Sequence, residues 1–340
     1  MIQKLYKLRF KTPVHISTGG FGLEDVELGI HSDTLYSAVC LMVKEWYGES
    51  ILYDKFLNEA NPIRLSSAFP YWQDTYFLPK PISVLPSNFD RVDYANQKSV
   101  KKIKYVDMSV YADILTNKWV YDDATQVISN GCWRSLTSDE RIEKNKKKLN
   151  FNVPNLYQIH EIPRVTLDRV TNSPQIFHLA VVDYHKEAGL YFLANLPNEA
   201  TATVFSAALR ALGDVGIGGE RSIGKGIFEV IEEKDAANFL PEIQDANAHL
   251  LLSLYTPKQQ EASTINFHKS DFQLINRKGW VTGKTLRRKT LRTLSEGSIL
   301  SMPNAPLGSL EIVLPKMPTG NFLNYDVYRN FTAFSLPIKL

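Results

Sequence analysis

A glycine-rich loop at residues 213–226 constrains the fold more than any other feature of this sequence. Six of the chain's 18 glycines fall within these fourteen positions. Glycine tolerates positive φ and allows close backbone approach, but it costs conformational entropy, so such a cluster indicates a geometric requirement. Backbone N–H groups in such loops bind anions, and Arg221 and Lys225 add positive charge. The loop is therefore predicted to lie against a negatively charged, extended ligand.

The loop departs from both familiar nucleotide-binding patterns. Residues 219–225 fit the start of a Walker A motif, but Gly226 stands where a Ser or Thr would hold magnesium. A dinucleotide fingerprint would need glycine at Arg221. The order of elements is also reversed, because an Ala/Leu-rich helix over 199–212 precedes the loop and a strand over 227–233 follows it. A nucleotide-binding protein is a weaker hypothesis, and a plain structural turn stays open.

Composition bounds the class of protein. The 340 residues predict about two domains at a prior of roughly 150 residues each. No apolar run approaches the ~18 residues that cross a membrane, and the N-terminus lacks a signal-peptide pattern, so no membrane contact is expected. Cys40, Cys132 and the scattered histidines have no metal-ligand spacing. The two cysteines predict a reducing, cytoplasmic location, and we expect neither a metal nor a cofactor.

The small net charge of +3 hides local clusters of basic residues. Residues 277–292 carry seven positive charges and no acid, residues 98–104 carry four and no acid, and residues 141–148 carry five against one Glu. The last run is more typical of a solvated, mobile loop. Arginines interspersed with Trp280 in the first run favour a surface that follows phosphates and stacks a base. The same surface would alternatively face a protein partner.

Hydrophobic periodicity predicts an α+β fold. The predicted elements are an amphipathic first strand over 2–10, a helix from about Thr34 to Tyr47 capped by Ser32 or Asp33 with Trp46 in its buried stripe, and a hairpin of 177–184 with 190–196. The helix, glycine loop and strand described above complete a βαββαβ order. We predict two such ferredoxin-like (RRM-like) units with large insertions. Residues 1–240 form the first, with an inserted β-hairpin arm at about 80–170, and residues 241–340 form a weaker second copy.

Four segments resemble a known family. They are Gly29-Ile-His-Ser-Asp-Thr-Leu-Tyr-Ser-Ala38 at the helix entry, Pro163-Arg-Val-Thr-Leu-Asp-Arg169 in the arm, Gly216-Ile-Gly-Gly-Glu-Arg-Ser-Ile-Gly-Lys-Gly226 in the loop, and Leu294-Ser-Glu-Gly-Ser298. Together they resemble the RAMP superfamily of CRISPR proteins, and most closely the family of fourth subunits of type III-A Csm effector complexes. The loop alone is typical of the superfamily, whereas the helix entry with the arm is more specific.

The resemblance implies a non-catalytic, RNA-binding structural subunit that serves antiviral defence. Such a subunit holds the repeat-derived 5′ handle of the CRISPR RNA, docks the large polymerase-type subunit and contacts the neighbouring backbone RAMP subunit, so that it meets target RNA only indirectly. Single-stranded RNA is held through its phosphates and unstacked bases, which suits the loops and basic residues of this chain. The predicted RNA-binding residues are Ser17, Thr18, Gly19, His31, Ser32, Arg164, Arg169, Gly216, Gly218, Gly219, Glu220, Arg221, Ser222, Gly224, Lys225, Lys284, Arg287, Arg288 and Arg292.

The alternative is a metal-independent endoribonuclease of the same superfamily that processes CRISPR repeat RNA. General acid–base cleavage of RNA needs one well-placed group near the 2′-hydroxyl, so the lack of a motif does not exclude it. His15, His31 and Asp33 are the candidates. Three consecutive residues at a helix start do not adopt triad geometry, and an N-cap is the simpler interpretation of Asp33.

Overall fold

The computed structural model describes most of the chain. The described residues are 1–18, 23–122, 125–147, 155–168, 171, 173–241, 243, 245–281, 286–315 and 325–339. The predicted RNA-binding residues Gly19, Arg169 and Lys284 lie outside them. Six α-helices are described: α1 Ser32–Ile51, α2 Tyr94–Lys101, α3 Met108–Leu115, α4 Ser138–Lys147, α5 Glu199–Val215 and α6 Gln259–Ala262.

Eighteen strands are described, and short turns of other helix types occur at Leu52–Phe56, Phe89–Arg91, Arg221–Ile223 and Phe267–Lys269. The strands are β1 Ile2–Phe10, β2 Arg64–Leu65, β3 Phe69–Trp72, β4 Thr75–Pro79, β5 Tyr105–Asp107, β6 Gln126–Ser129, β7 Cys132–Ser135, β8 Tyr157–Leu167, β9 Pro174–Tyr184, β10 Ala188–Leu196, β11 Phe228–Asp235, β12 Ala248–Leu251, β13 Leu274–Arg277, β14 Leu291–Leu294, β15 Ile299–Leu300, β16 Leu310–Ile312, β17 Tyr328–Asn330 and β18 Ser335–Ile338.

The central sheet has nine strands in the order β11-β1-β10-β3-β4-β5-β7-β6, with β2 also paired to β10. Its first four strands are mutually antiparallel, and α1 and α5 pack with β1 and β10 in one apolar cluster. That arrangement is the order of a split βαβ unit. The N-terminal half is therefore a mixed α+β unit of the predicted kind.

Both faces of the central sheet are covered. Tyr6 and Leu8 of β1 pack towards the helices, whereas Leu5 packs with C-terminal residues such as Leu250. This second cover explains why Leu5 breaks the predicted alternation. Lys7 on the same strand is also buried; its Nζ lies 4.6 Å from the ring centroid of Tyr71 and donates to the Gln73 carbonyl oxygen at 2.7 Å.

The predicted hairpin of 177–184 with 190–196 is wrong. Strand β9 pairs with β8 over eleven residues in a separate two-stranded sheet, while β10 lies between β1 and β3. Both faces of β10 are buried and its neighbours occupy both edges, so no edge is left for β9. A hairpin arm is present, but it is built from β8 and β9, and so it spans residues 157–184 and not about 80–170.

The segment before the arm is ordered structure and not an irregular insertion. Strands β3 to β7 extend the central sheet, and helices α2, α3 and α4 accompany them. The aromatic side chains of Tyr71, Trp72, Tyr76 and Phe77 are buried there, which makes them core residues and not a docking surface. Helix α4 covers most of the lysine-rich 141–148 run that was predicted to be a mobile loop.

Helix α1 starts earlier than predicted. His31 is its N-cap residue, so Ser32 and Asp33 lie within its first turn and neither caps it. The backbone kinks at Gly48, where φ is +82°, and the helix continues to Ile51. Trp46 is exposed and does not belong to the buried stripe.

The C-terminal half is built from three small sheets: β15-β12-β18, β13-β14 and β16-β17. In the described part of residues 241–340, the four-residue α6 is the longest helix, so the second βαββαβ unit is not supported. Buried residues of β12 and β18 share a core with β1, β3 and β10, so the C-terminal half serves as the second cover of the central sheet. A division of the chain near residue 240 stays a prediction.

Candidate nucleic-acid interface

The glycine-rich loop is fastened to the segment between β1 and α1. Gly219 N donates to the His15 carbonyl oxygen at 2.8 Å, and Gly226 N donates to the Pro13 carbonyl oxygen at 3.0 Å. Gly218 has a φ of +96°, and a Cβ there would lie 2.4 Å from the His15 oxygen. The loop therefore packs against the segment that precedes α1.

Most backbone N–H groups of the loop are already used inside the protein. Those that donate to other backbone carbonyls are the N–H groups of Gly216, Ile217, Gly219, Ile223, Gly224, Lys225 and Gly226. The expectation that these N–H groups grip a ligand is therefore wrong for most of the loop. The glycines instead allow close packing and positive φ. The φ angles are positive at Gly216, Gly218, Gly224 and Gly226. Glu220 also has a left-handed backbone, with a φ of +58°.

A cleft of about 530 Å³ lies between the glycine-rich loop, the start of α1 and the C-terminal half. Ser17 and Gly218 line its N-terminal side. Of its described lining residues, six are basic and only Asp33 is acidic; the basic ones are Arg221, Arg277, Lys278, Arg287, Arg288 and Arg329. Trp280 lines the same wall. We call this surface the basic cleft.

A second cavity, of about 970 Å³, shares Arg277 and Lys278 with the basic cleft and so adjoins it. Thr18 and His31 line it, together with Lys101 and Lys104 from the predicted 98–104 basic cluster. The two cavities therefore meet at Arg277 and Lys278, between the two halves of the chain.

Asp33 organises the floor of the basic cleft. Its Oδ1 accepts from Arg277 Nη2 at 3.0 Å, and its Oδ2 lies 3.1 Å from Arg329 Nη1. Burial opposes the charged carboxylate, but the two guanidinium groups outweigh it and lower the pKa of Asp33 to about 2. Asp33 is thus a permanent counter-charge, held away from solvent.

His31 is held between two carboxylates. Its Nε2 lies 2.7 Å from Glu27 Oε2, and its Nδ1 lies 2.8 Å from Glu296 Oε1. Burial favours the neutral imidazole, but Glu296 and Glu27 outweigh it and raise the pKa of His31 to about 10. Ser67 Oγ also donates to Glu296. The helix-entry and Leu294–Ser298 motifs, far apart in sequence, therefore meet as one ion-pair cluster.

Several predicted RNA-binding residues lie elsewhere. Ser32 is buried, and its Oγ accepts from Leu254 N at 3.1 Å, so its side chain joins the two halves and does not face a ligand. Arg292 is exposed on β14, opposite Asn276. Ser222 is exposed and Lys225 half-buried, beyond the lining of the basic cleft.

The arm is rooted next to the glycine-rich loop. Val182 exchanges backbone hydrogen bonds with Val14, and the Ala180 carbonyl oxygen contacts His15 Nδ1 at 2.7 Å. The far end of the arm exposes apolar side chains on one face, including Val165, 58% exposed, and Ile176, 71% exposed. Arg164 lies on the opposite face, across from Phe177.

Sequence reasoning missed Arg329 as a residue of the site. It stands in the stretch Tyr-Asp-Val-Tyr-Arg-Asn-Phe, which has no charge cluster to mark it. Arg277 was noticed only as part of a basic run. Both reach the basic cleft because β13 and β17 end beside the start of α1.

In the described ranges, no three His, Cys, Asp or Glu side chains group in a way that would hold a metal ion. None of the described helices is long and apolar enough to span a membrane.

Two family models match the sequence. The family model of the RAMP superfamily matches residues 7–229, and that of the CRISPR Csm4 C-terminal domain matches residues 244–338. The chain is 29% identical to the CRISPR system Cms protein Csm4 of Thermococcus onnurineus over 322 residues, covering 91% of each chain. It is 24% identical to the protein of that name from Methanocaldococcus jannaschii over 373 residues, covering 98% of this chain and 96% of the relative.

Solved structures show the same fold. A chain in the crystal structure of a Csm3–Csm4 subcomplex of the type III-A CRISPR-Cas interference complex matches with a TM-score of 0.66, at 19% identity and full coverage of both chains. A chain of a Csm1–Csm4 cassette in complex with cA4 matches with a TM-score of 0.60, at 20% identity, covering 100% of this chain and 99% of the other. With a family model over well more than half of its length, the chain belongs to the RAMP superfamily of CRISPR proteins and carries a Csm4 C-terminal domain.

Proposed function

We propose that this chain is the fourth subunit of a type III-A CRISPR effector complex and holds the 5′ handle of the CRISPR RNA in the basic cleft. The observation that carries the proposal is the charge of that cleft, with six basic side chains against one carboxylate. Phosphate contacts dominate the affinity of proteins for nucleic acids, and a concave basic surface beside an aromatic side chain suits single-stranded RNA. The two free cysteines suit a cytoplasmic complex.

The proposed partners are the large polymerase-type subunit and the neighbouring backbone RAMP subunit, which this chain would bridge. Related chains of the same fold occur in crystals with Csm1 and with Csm3, and this supports the proposal. The arm is a second proposed contact with the RNA. Its exposed apolar face near Val165 and Ile176, at the far end of the arm, would displace a base of the bound RNA as a wedge.

We also propose that the chain is not a nuclease. A general base must hold a free lone pair near the 2′-hydroxyl. His31 is paired on both ring nitrogens by Glu27 and Glu296, and Asp33 is paired with two arginines. His15 is 2% exposed, beneath Gly219. The pairing of His31 and Asp33 and the burial of His15 weigh against the candidates that the sequence offered for the endoribonuclease alternative.

The test is a double replacement, Arg221→Ala with Lys225→Ala, in the protein co-expressed with its complex. Arg221 lines the basic cleft, so we expect weaker retention of CRISPR RNA and a salt dependence of affinity that is less steep by ~0.7 per lost phosphate contact. Arg91→Ala, in the exposed Phe89–Arg91 turn, is the matched control. Unchanged RNA retention and slope in the double variant would show that the loop is not part of the grip.

A further inference from the structure

Two arginines converge beneath Gly279 in the basic cleft. Gly279 has a φ of +140°, and a Cβ at that position would lie 3.4 Å from Arg329 Nη2 and 3.7 Å from Arg288 Nη2. Arg277 stands beside them, bound to Asp33 through Nε and Nη2. Three guanidinium groups therefore lie near one carboxylate, which pairs directly with Arg277 and Arg329.

Asp33 is the one carboxylate, among the described residues, that pairs directly with this cluster. It already accepts from Arg277 and Thr34, and its Oδ2 faces Arg329. Arg329 is only 5% exposed; its Nη2 donates to the Lys278 carbonyl oxygen at 2.6 Å, and its Nε has no hydrogen-bond partner among the described residues. Burial and the neighbouring guanidinium groups of Arg288 and Arg277 lower the pKa of Arg329 to about 10, although the Asp33 carboxylate acts in the opposite direction. A buried cation in surplus is costly unless an anion joins it.

Trp280 supplies a flat surface next to the cluster. Its side chain is 52% exposed, and the Arg287 guanidinium lies 4.7 Å from the ring centroid. Arg288 Nε donates to the Trp280 carbonyl oxygen at 2.8 Å, which fixes the position of the tryptophan relative to the guanidinium cluster. Bases stack on aromatic side chains of this kind, with little dependence on sequence.

We propose that these residues form a single-nucleotide subsite: Arg288 and Arg329 bind one phosphate of single-stranded RNA, and Trp280 stacks the adjoining base. This inference rests on the proposed RNA-binding function and names the part of the basic cleft that holds one nucleotide. Asp33 is a positioning residue, because it aims Arg329 and Arg277 without facing the ligand itself.

The test measures the affinity of the full chain for fluorescent oligoadenylate and oligouridylate of equal length. Trp280→Ala should weaken binding about tenfold or more, with the larger loss for oligoadenylate, because purines stack more strongly. Trp280→Phe should retain most of the affinity. The matched control is Trp46→Ala, which removes an exposed tryptophan from α1 and should change nothing.

A second pair of variants tests the phosphate contact. Arg288→Gln should lower the affinity and reduce the salt slope by ~0.7, while Arg91→Gln leaves both unchanged. Thermal unfolding of each variant identifies any loss of affinity that comes from misfolding. If Arg288→Gln misfolds, the comparison of Trp280→Ala with Trp280→Phe decides the question, because Trp280 is exposed.

The outcomes separate this inference from the proposed function. If wild-type protein binds RNA and neither Trp280→Ala nor Arg288→Gln differs from its control, the subsite is wrong while the RNA-binding function stands. If wild-type protein binds no RNA, alone or in its complex, both fail together. If Trp280→Ala releases a partner subunit with unchanged RNA affinity, the surface contacts protein and the subsite is again wrong.

Discussion

Replacement of Gly218 by alanine should damage the glycine-rich loop far more than replacement of Gly224. Both residues have positive φ, +96° and +77°, so both variants lose about 1–3 kcal/mol of folding free energy from backbone strain. At Gly218 the new Cβ would also lie 2.4 Å from the His15 carbonyl oxygen, whereas nothing lies within 4 Å at Gly224. Relief of that overlap adds about 1–3 kcal/mol.

The overlap also threatens the hydrogen bond from Gly219 N to the His15 oxygen, which contributes about 1 kcal/mol. We therefore expect Gly218→Ala to lower the free energy of unfolding by about 3–7 kcal/mol, and Gly224→Ala by about 1–3 kcal/mol. Equilibrium urea unfolding followed by tryptophan fluorescence measures both. Equal losses in the two variants would refute the reasoning, because they would show that contact with the β1–α1 segment does not constrain the loop.

Two further predictions concern the histidines. Because the pKa of His31 is raised from 6.5 to about 10 in the folded state, its ion pairs stabilise the fold fully below pH 6.5, and this stability is lost as the pH rises towards 10. The melting temperature of His31→Gln should fall less than that of the wild-type protein as the pH rises over that range. A pH profile identical to that of the wild type would contradict a charged His31 paired with carboxylates. Purified protein should leave CRISPR repeat RNA intact in EDTA on a denaturing gel, and cleavage abolished by His15→Ala would restore the endoribonuclease alternative.

The sequence alone determined the features that depend on local backbone requirements. The glycine-rich loop was identified from residues 213–226, because glycine adopts positive φ more easily than other residue types and four of the loop's glycines do so. Strand β1 and helices α1 and α5 also follow from short-range periodicity.

Only the tertiary structure decided how these elements pair and which charges meet. Strand β9 does not pair with β10 because β10 has neighbours on both edges, and Lys7 is buried where Tyr71 and Gln73, distant in the chain, contact its side chain. Asp33 and Arg329 are 296 positions apart in the chain, yet their side chains pair in the basic cleft. Periodicity reports which residues are apolar within one element, whereas strand partners and buried ion pairs depend on contacts between distant segments, and a single sequence carries no local signal for those.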